Sequence, residues 1–282
     1  KVVELINTSK ESKSDKLAED EEGVVILEQT PFYAESGGQI GDKGTLSGKG
    51  FRFDVLDTQK IGDHHGHFGV VKEGELKINS KVLAHIDEDF RNKVVPNHSA
   101  THLLQAALKK ILGDHIEQKG SLVEESRLRF DFAHSKPVST EEITKIEDLI
   151  NLQIEKNTKS VTKVMTIEEA TKKGAIAFFG EKYGEKVRVL DLGEGFSVEL
   201  CGGTHVTKTG EIGLMKIINE SGISAGVRRI EAVTGVGATL LLQELEQRIT
   251  SICDELLVDV ELIDQDKSNL DLIRDLQSKL NM

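Results

Sequence analysis

The chain has 282 residues, 48 acidic against 36 basic, for a net charge of −12, and at roughly 150 residues per domain that length predicts two domains. Apolar residues at 38% and charged residues at 30% fit a soluble globular protein with enough chain for a real core. Aromatics at 4% with no Trp exclude a base-stacking platform, and the acidic balance excludes bulk coating of nucleic acid, though not a local basic patch.

In chain order, the start Lys1-Val2-Val3-Glu4 has neither an initiator Met nor a signal-peptide pattern, so a piece excised from a longer protein is expected. Residues 1–95 read as a small β-barrel domain. Short apolar runs, among them Val24-Val25-Ile26-Leu27, Phe51-Arg52-Phe53-Asp54-Val55 and Lys81-Val82-Leu83-Ala84-His85-Ile86, are bounded by Gly and Asp turns. The charged stretch 10–22 reads as a mobile loop. The texture changes at Pro96. Leu103, Leu104, Ala107, Leu108 and Ile111 follow a helical period over 97–112, with Asn97 as N-cap and Gly113 as stop. A strand is predicted at 127–132. Ser139 and Glu142 have capping-box spacing for a helix ending near Glu155. A strand at 161–165 and a short helix at 167–173 follow. Further strands fit 186–190, 196–200, 214–219 and 227–233, so residues 96–237 form an α+β domain. From 238 to 282 the chain reads as helical, with a short heptad seam of Leu242, Leu245, Ile249, Ile252 and Leu256 and a second amphipathic stretch at 270–280. No apolar run approaches the roughly 20 residues of a membrane span. The two cysteines, Cys201 and Cys253, make no disulfide framework, which points to a reducing compartment, the cytoplasm.

His98 and His102 are four apart on the predicted helix, so both imidazoles share one face one turn apart. Cys201-Gly202-Gly203-Thr204-His205 adds a thiolate and a third imidazole, and its glycines let the backbone fold tightly around an ion or substrate. Three nitrogens and one sulfur suit tetrahedral zinc. Chance weighs against the pattern alone: a His-x-x-x-His pair arises with odds of about 0.3, a Cys-x-x-x-His pair of about 0.06, and both of about 0.02.

Asn97-His98-Ser99-Ala100-Thr101-His102-Leu103-Leu104 and Cys201-Gly202-Gly203-Thr204-His205-Val206 resemble the two zinc motifs of the alanyl-tRNA synthetase editing domain. Gln118-Lys119-Gly120-Ser121-Leu122-Val123 is similar to a third stretch of that family. Pro31-Phe32-Tyr33-Ala34-Glu35-Ser36-Gly37-Gly38-Gln39-Ile40-Gly41-Asp42 resembles the glycine-rich motif of its preceding barrel. Arg228-Arg229-Ile230-Glu231-Ala232-Val233-Thr234-Gly235 resembles its closing strand. The motifs stand in the family's order over nearly the whole chain. The threonyl branch and free-standing AlaX-type editing proteins share parts of the pattern. The resemblance implies hydrolytic editing of tRNA(Ala) mischarged with serine or glycine, one zinc per chain, and a cytoplasmic parent that self-associates through its C-terminal region. That parent attaches alanine with ATP and Mg²⁺ through domains absent from this chain.

The resemblance implies Gln118 as a polar contact to substrate or attacking water. Thr101 is a candidate contact to the amino-acid side chain. Gly37, Gly38, Gly202, Gly203 and Thr204 are candidates for the substrate site. Zinc could polarise the ester carbonyl, activate a water or anchor the substrate. Four protein ligands look structural, whereas a catalytic site keeps one position open, so Cys201 is expected to bind weakly or give way. For tRNA phosphates the candidates are Lys119, Arg127, Arg228 and Arg229, with Lys109, Lys110 and Arg129 behind them. Asp63, His64, His65 and His67 suit a solvent-facing strand or turn rather than a metal cluster. Cys253 reads as a packing residue on the tail helix. Two rivals stay open: a free-standing trans-editing hydrolase, and a non-catalytic tRNA-binding module stapled by zinc.

Overall fold

Alternation of side chains builds the first sheet: along Phe51-Arg52-Phe53-Asp54-Val55 the odd positions are buried and the even ones are not. The computed structural model describes residues 1–172, 174–175 and 184–255. Its first eight strands are β1 (Val2–Asn7), β2 (Ser12–Lys13), β3 (Lys16–Ala18), β4 (Glu22–Leu27), β5 (Gly44–Gly48), β6 (Phe51–Ile61), β7 (His64–Lys77) and β8 (Leu83–Ile86). All pair antiparallel in the order β2-β1-β4-β7-β6-β5-β8, with β3 on β7. Leu5, Leu17, Val25, Leu46, Phe53 and Val71 form their core.

Two expectations are corrected here. The barrel does not close: the sheet ends at β2, two residues long, and β8, four residues long, and such short ends offer few groups to pair. The predicted mobile loop at 10–22 contains β2 and β3 instead. Leu17 is fully buried in the core, and Lys16 pairs with Glu75 at 2.6 Å across the β3–β7 ladder.

The α+β part contains the predicted elements with shifted bounds, and one strand, at Gln118–Val123, that was not expected. Helix α1 spans Glu88–Leu112, nine residues earlier than read from the sequence, and Asp87 caps it by accepting from the Phe90 N–H. Pro96 is inside the helix. The partner its missing N–H leaves is the carbonyl of Asn92, an exposed residue that water can serve, while Phe90 and Val94 pack on Val123 and hold the early turns. Asn97 is therefore no cap. It is buried, donates to the Glu124 carbonyl and accepts from the Thr234 hydroxyl.

Next come β9 (Gln118–Val123), β10 (Leu128–Ala133), α2 (Thr140–Glu155), β11 (Val161–Thr166), α3 (Ile167–Lys172), β12 (Lys186–Leu192), β13 (Ser197–Leu200), a 3₁₀ turn at Thr209–Ile212, β14 (Met215–Ser224) and β15 (Val227–Thr234). The Ser139–Glu142 capping box on α2 is complete. Strands β14-β15-β10-β9 form one antiparallel sheet and β11-β12-β13 another. Leu104 and Leu108 of α1 and Ile146 and Ile150 of α2 share a core with Phe130, Phe132 and Ile230 of the larger sheet.

The loop between β4 and β5 joins the two cores. Gly38 accepts from the Val123 N–H at 2.7 Å, and Ile40 donates to the Val123 carbonyl at 3.2 Å. Arg91 of α1 grips the Asp42 carboxylate and the Pro31 carbonyl. These parts make one compact unit, Lys1–Gly235. A second unit begins at Val236. It contains α4 (Gly235–Glu255) from its second residue, and there Leu242, Leu245, Ile249 and Ile252 are exposed. Leu256 and the predicted stretch at 270–280 lie outside the described residues. Among the described residues no helix is long and apolar enough to cross a membrane.

His67 is not solvent-facing, as its strand alternation suggests, but fully buried. Its Nδ1–H donates to the Val25 carbonyl at 2.7 Å and its Nε2 accepts from Thr30 Oγ1 at 2.7 Å, which is the neutral tautomer. Burial pushes its pKa below the ordinary 6.5, against the bond to Val25. The unfolded chain therefore takes up a proton as pH falls below 6.5 while the folded chain resists it, so stability holds above that pH and drops below it. Urea unfolding from pH 7.5 to 5 should show wild type ahead of His67→Gln by about 1–2 kcal/mol at pH 7.5. That lead should shrink toward pH 5; parallel curves would remove His67 as the cause.

Candidate metal centre

Three imidazoles and a thiol converge between α1 and the loop after β13. The ligand atoms of His98, His102, Cys201 and His205 all lie within 4.8 Å of one another. Cys201 Sγ is 3.5 Å from His98 Nε2 and 3.2 Å from His205 Nε2. A tetrahedral zinc site with ordinary bond lengths needs such edges at about 3.3–3.6 Å. His98 and His102 sit one helical turn apart, as their spacing predicts, and both are buried.

Each imidazole has a second partner on its Nδ1. His98 Nδ1–H donates to Gln39 Oε1 at 2.6 Å. His102 Nδ1–H donates to Glu199 Oε2 at 2.6 Å, and Glu199 also accepts from Ser197 Oγ at 3.0 Å. His205 Nδ1 lies 3.3 Å from Ser99 Oγ, whose own proton goes to the Val95 carbonyl. All three Nε2 atoms are thereby turned toward the centre. Burial and the nearby His98 push the pKa of His205 down to about 3, so it is neutral. Burial opposes ionisation of Cys201, yet His102 and His98 hold its thiol well below the usual range. Burial also opposes charge on His102, but Glu199 and Cys201 outweigh it and raise its pKa to about 10. A thiolate among imidazoles is the donor set of a soft-to-borderline cation.

The loop 201–205 is tight at Gly203 and open at Gly202. A Cβ on Gly203 would stand 2.0 Å from the His98 ring, whereas one on Gly202 would meet nothing within 4 Å. Gly203 N–H points at Cys201 Sγ at 3.4 Å. Arg188 donates to the carbonyls of Cys201 at 3.2 Å and Gly203 at 2.5 Å, which fixes the turn from outside.

A cavity of about 250 Å³ opens beside the cluster. Tyr33, Ser36, Gly37 and Lys60 line one side, and Lys186, Arg188, His98, Cys201, Gly202 and Gly203 line the other. None of its described lining residues is acidic. Gly38 is not among its described lining residues; it has a φ of +84°, and a Cβ there would strike the Ser121 carbonyl at 2.6 Å. Thr204 receives Gln39 Nε2 on its hydroxyl at 2.8 Å. Thr101 is buried on α1 and donates to the Asn97 carbonyl at 2.8 Å. Gln118 opens β9, partly exposed, and is not among the cavity's described lining residues.

The basic candidates are largely engaged elsewhere. Arg228 is bidentate to Glu220 and Arg229 to Asp131. Arg127 lies 3.7 Å from Glu124 and 3.5 Å from Glu231, and Lys119 pairs with Glu117 at 3.0 Å. Sequence reasoning misses Gln39, Ser99 and Glu199 as partners of the cluster, and Lys60, Lys186 and Arg188 around the cavity. Only Glu199 carried a usable signal: it is an acidic residue in a strand-like run that ends just before Cys201.

Residues 1–90 match the family model of the class II (A) tRNA synthetases, and residues 187–231 match that of the threonyl and alanyl tRNA synthetase second additional domain. The second match contains Glu199, Cys201 and His205. The alanine–tRNA ligase of Shewanella loihica is 50% identical over 268 residues, covering 95% of this chain and 30% of that protein. The chain thus spans about 30% of the length of that relative. With both matches in order and half of the residues identical over 95% of its length, the chain belongs to the alanyl-tRNA synthetase family.

Proposed function

We propose that this chain is the editing hydrolase of its family, deacylating tRNA(Ala) that carries serine or glycine at a zinc site held by His98, His102, Cys201 and His205. It divides, on this reading, into a β-domain at 1–95, the editing domain at 96–237 and the start of a helical region at 238–282. The observation that carries the proposal is a His₃Cys cluster, with His98 and His102 buried and Cys201 and His205 half-buried, beside a cavity whose described lining holds basic and no acidic side chains.

An alanine-sized pocket cannot exclude glycine, and it rejects an added hydroxyl by only about two decades, so a second hydrolytic site is needed. A site built to hydrogen-bond the serine hydroxyl leaves buried polar groups unpaired when alanine enters, which supports discrimination on the order of 10⁴. Thr101 has given its proton to Asn97 and so offers an acceptor to a serine hydroxyl. Thr204, Gly37, Gly38, Gly202 and Gly203 shape the rest of that pocket, and Gln118 is the polar contact to substrate or water. When bound, zinc supplies a fixed positive charge that polarises an ester carbonyl or anchors the substrate. Lys60 and Lys186 favour the phosphates of an incoming tRNA end, and no described lining residue is a carboxylate that would repel it. Lys119, Arg127, Arg228 and Arg229 act farther out, where each must leave or share an acidic partner. The parent protein would charge tRNA(Ala) with alanine in the cytoplasm, using ATP and Mg²⁺ in its other domains.

One observation favours a second reading, a zinc-stapled tRNA-binding module without catalysis: all four ligand positions are filled by protein side chains. Deacylation of Ser-tRNA(Ala) beside Ala-tRNA(Ala), with the chain zinc-loaded and chelator-stripped, separates the two. The expected outcome is selective, zinc-dependent loss of serine, abolished in His98→Ala. Tight tRNA binding with no deacylation, even with the rest of the synthetase restored, would favour the staple. A second variant tests the geometry of the loop. Gly203→Ala must displace the His98 ring, so its cobalt affinity, read from the thiolate absorption band, should fall at least about tenfold, while Gly202→Ala stays close to wild type.

A further inference from the structure

We infer that Gln39, carried by the first sheet's loop and not by the editing fold, is the positioning residue that sets the tautomer of the metal ligand His98. The inference rests on reading the cluster as a metal centre.

The orientation of the Gln39 amide is fixed without reference to the metal. The Thr204 backbone N–H donates to Gln39 Oε1 at 3.0 Å, and a backbone N–H can only donate. Oε1 must therefore be the end that faces Thr204 N, and Nε2 then donates to Thr204 Oγ1 at 2.8 Å. The same Oε1 lies 2.6 Å from His98 Nδ1. An oxygen that accepts from Thr204 demands a proton from His98 as well, so Nδ1 carries the hydrogen and Nε2 is bare. Nε2 is the atom that faces Cys201 Sγ. Gln39 is 1% exposed, so water does not compete for these bonds.

The loop is built to deliver this side chain. Gly38, at positive φ and too close to Ser121 for any Cβ, brings the backbone against β9. The Gln39–Val123 bridge and the bonds of Val123 to Gly38 and Ile40 clamp the residue on both sides. One amide thus ties three things together: the first sheet, the helix that carries His98, and the loop that carries Cys201 and His205. Partners of this kind are worth about 10–100-fold in metal affinity.

Gln39→Met keeps the length and removes both hydrogen-bonding ends; Gln39→Glu keeps an acceptor for His98 and Thr204. Zinc affinity is read by competition with a chromophoric chelator, with circular dichroism confirming the fold. Gln39→Met should bind zinc 10–100-fold more weakly than wild type, and Gln39→Glu should recover most of that loss. Equal affinity for wild type and Gln39→Met overturns the inference while leaving the hydrolase reading intact. Failure of wild type to bind zinc overturns both. Should Gln39→Met not fold, the ¹⁵N–¹H spectrum of the wild-type imidazoles decides alone. A protonated Nδ1 and a zinc-bound Nε2 on His98 are expected, and a protonated Nε2 would overturn the assignment.

Discussion

The site depends on one repeated constraint: every imidazole of the cluster has its Nδ1 occupied by a side chain of the protein. Gln39, Glu199 and Ser99 do this from three separate places, a loop of the first sheet, strand β13 and helix α1. A ring held only at its far nitrogen could flip and present the wrong atom. A ring held at Nδ1 by a buried acceptor cannot do so without leaving that acceptor unpaired, at a cost of about 1–3 kcal/mol. Much of the surrounding architecture serves those three partners. The capped start of α1, the Arg91–Asp42 pair and the Gly38–Val123 bonds all hold the first sheet against the helix that carries two of the candidate ligands.

The same constraint explains which parts were legible in the sequence. His98 and His102 were visible because helical spacing converts directly into a shared face. Cys201 and His205 were visible because two glycines between a thiol and an imidazole leave little for that segment to do but turn tightly. The capping box on α2 and most strands of the α+β part were legible, but β9, whose Gln118-Lys119-Gly120-Ser121 has no alternating apolar pattern, was not, and β14 runs five residues beyond its expected end. Gln39 and Ser99 carried no such signal. A residue that hydrogen-bonds a ligand across 59 or 106 positions follows no period, and its type is common on any surface.

The misreadings have physical causes of the same kind. Pro96 looked like a boundary because it costs a helix one hydrogen bond, yet tertiary packing of Phe90 and Val94 outweighs that loss. Asn97, read as a cap, cross-links α1 to Glu124 and Thr234 instead. The charged stretch at 10–22 looked mobile because only Leu17 among its neighbours is strongly apolar, and that single side chain is buried in the core. The pairing of Arg228 with Glu220 and of Arg229 with Asp131 was equally illegible, because each acid belongs to a neighbouring strand.

The distribution of support also bears on how a four-ligand site could admit a substrate. His98 and His102 are buried and backed by an amide and a carboxylate, and His205 is backed by a hydroxyl with two further bonds of its own. Cys201 is half-buried, and among the described residues its sulfur is met, apart from the imidazoles, by the long Gly203 N–H contact. It also borders the cavity, as His98 does, whereas His102 and His205 are not among the lining residues. Releasing His98 would strand Gln39 and Thr204; releasing Cys201 would strand one weak contact. If a position opens toward the cavity, the cost is therefore lowest at the cysteine, and the three histidines, each fixed from behind, keep the centre in place.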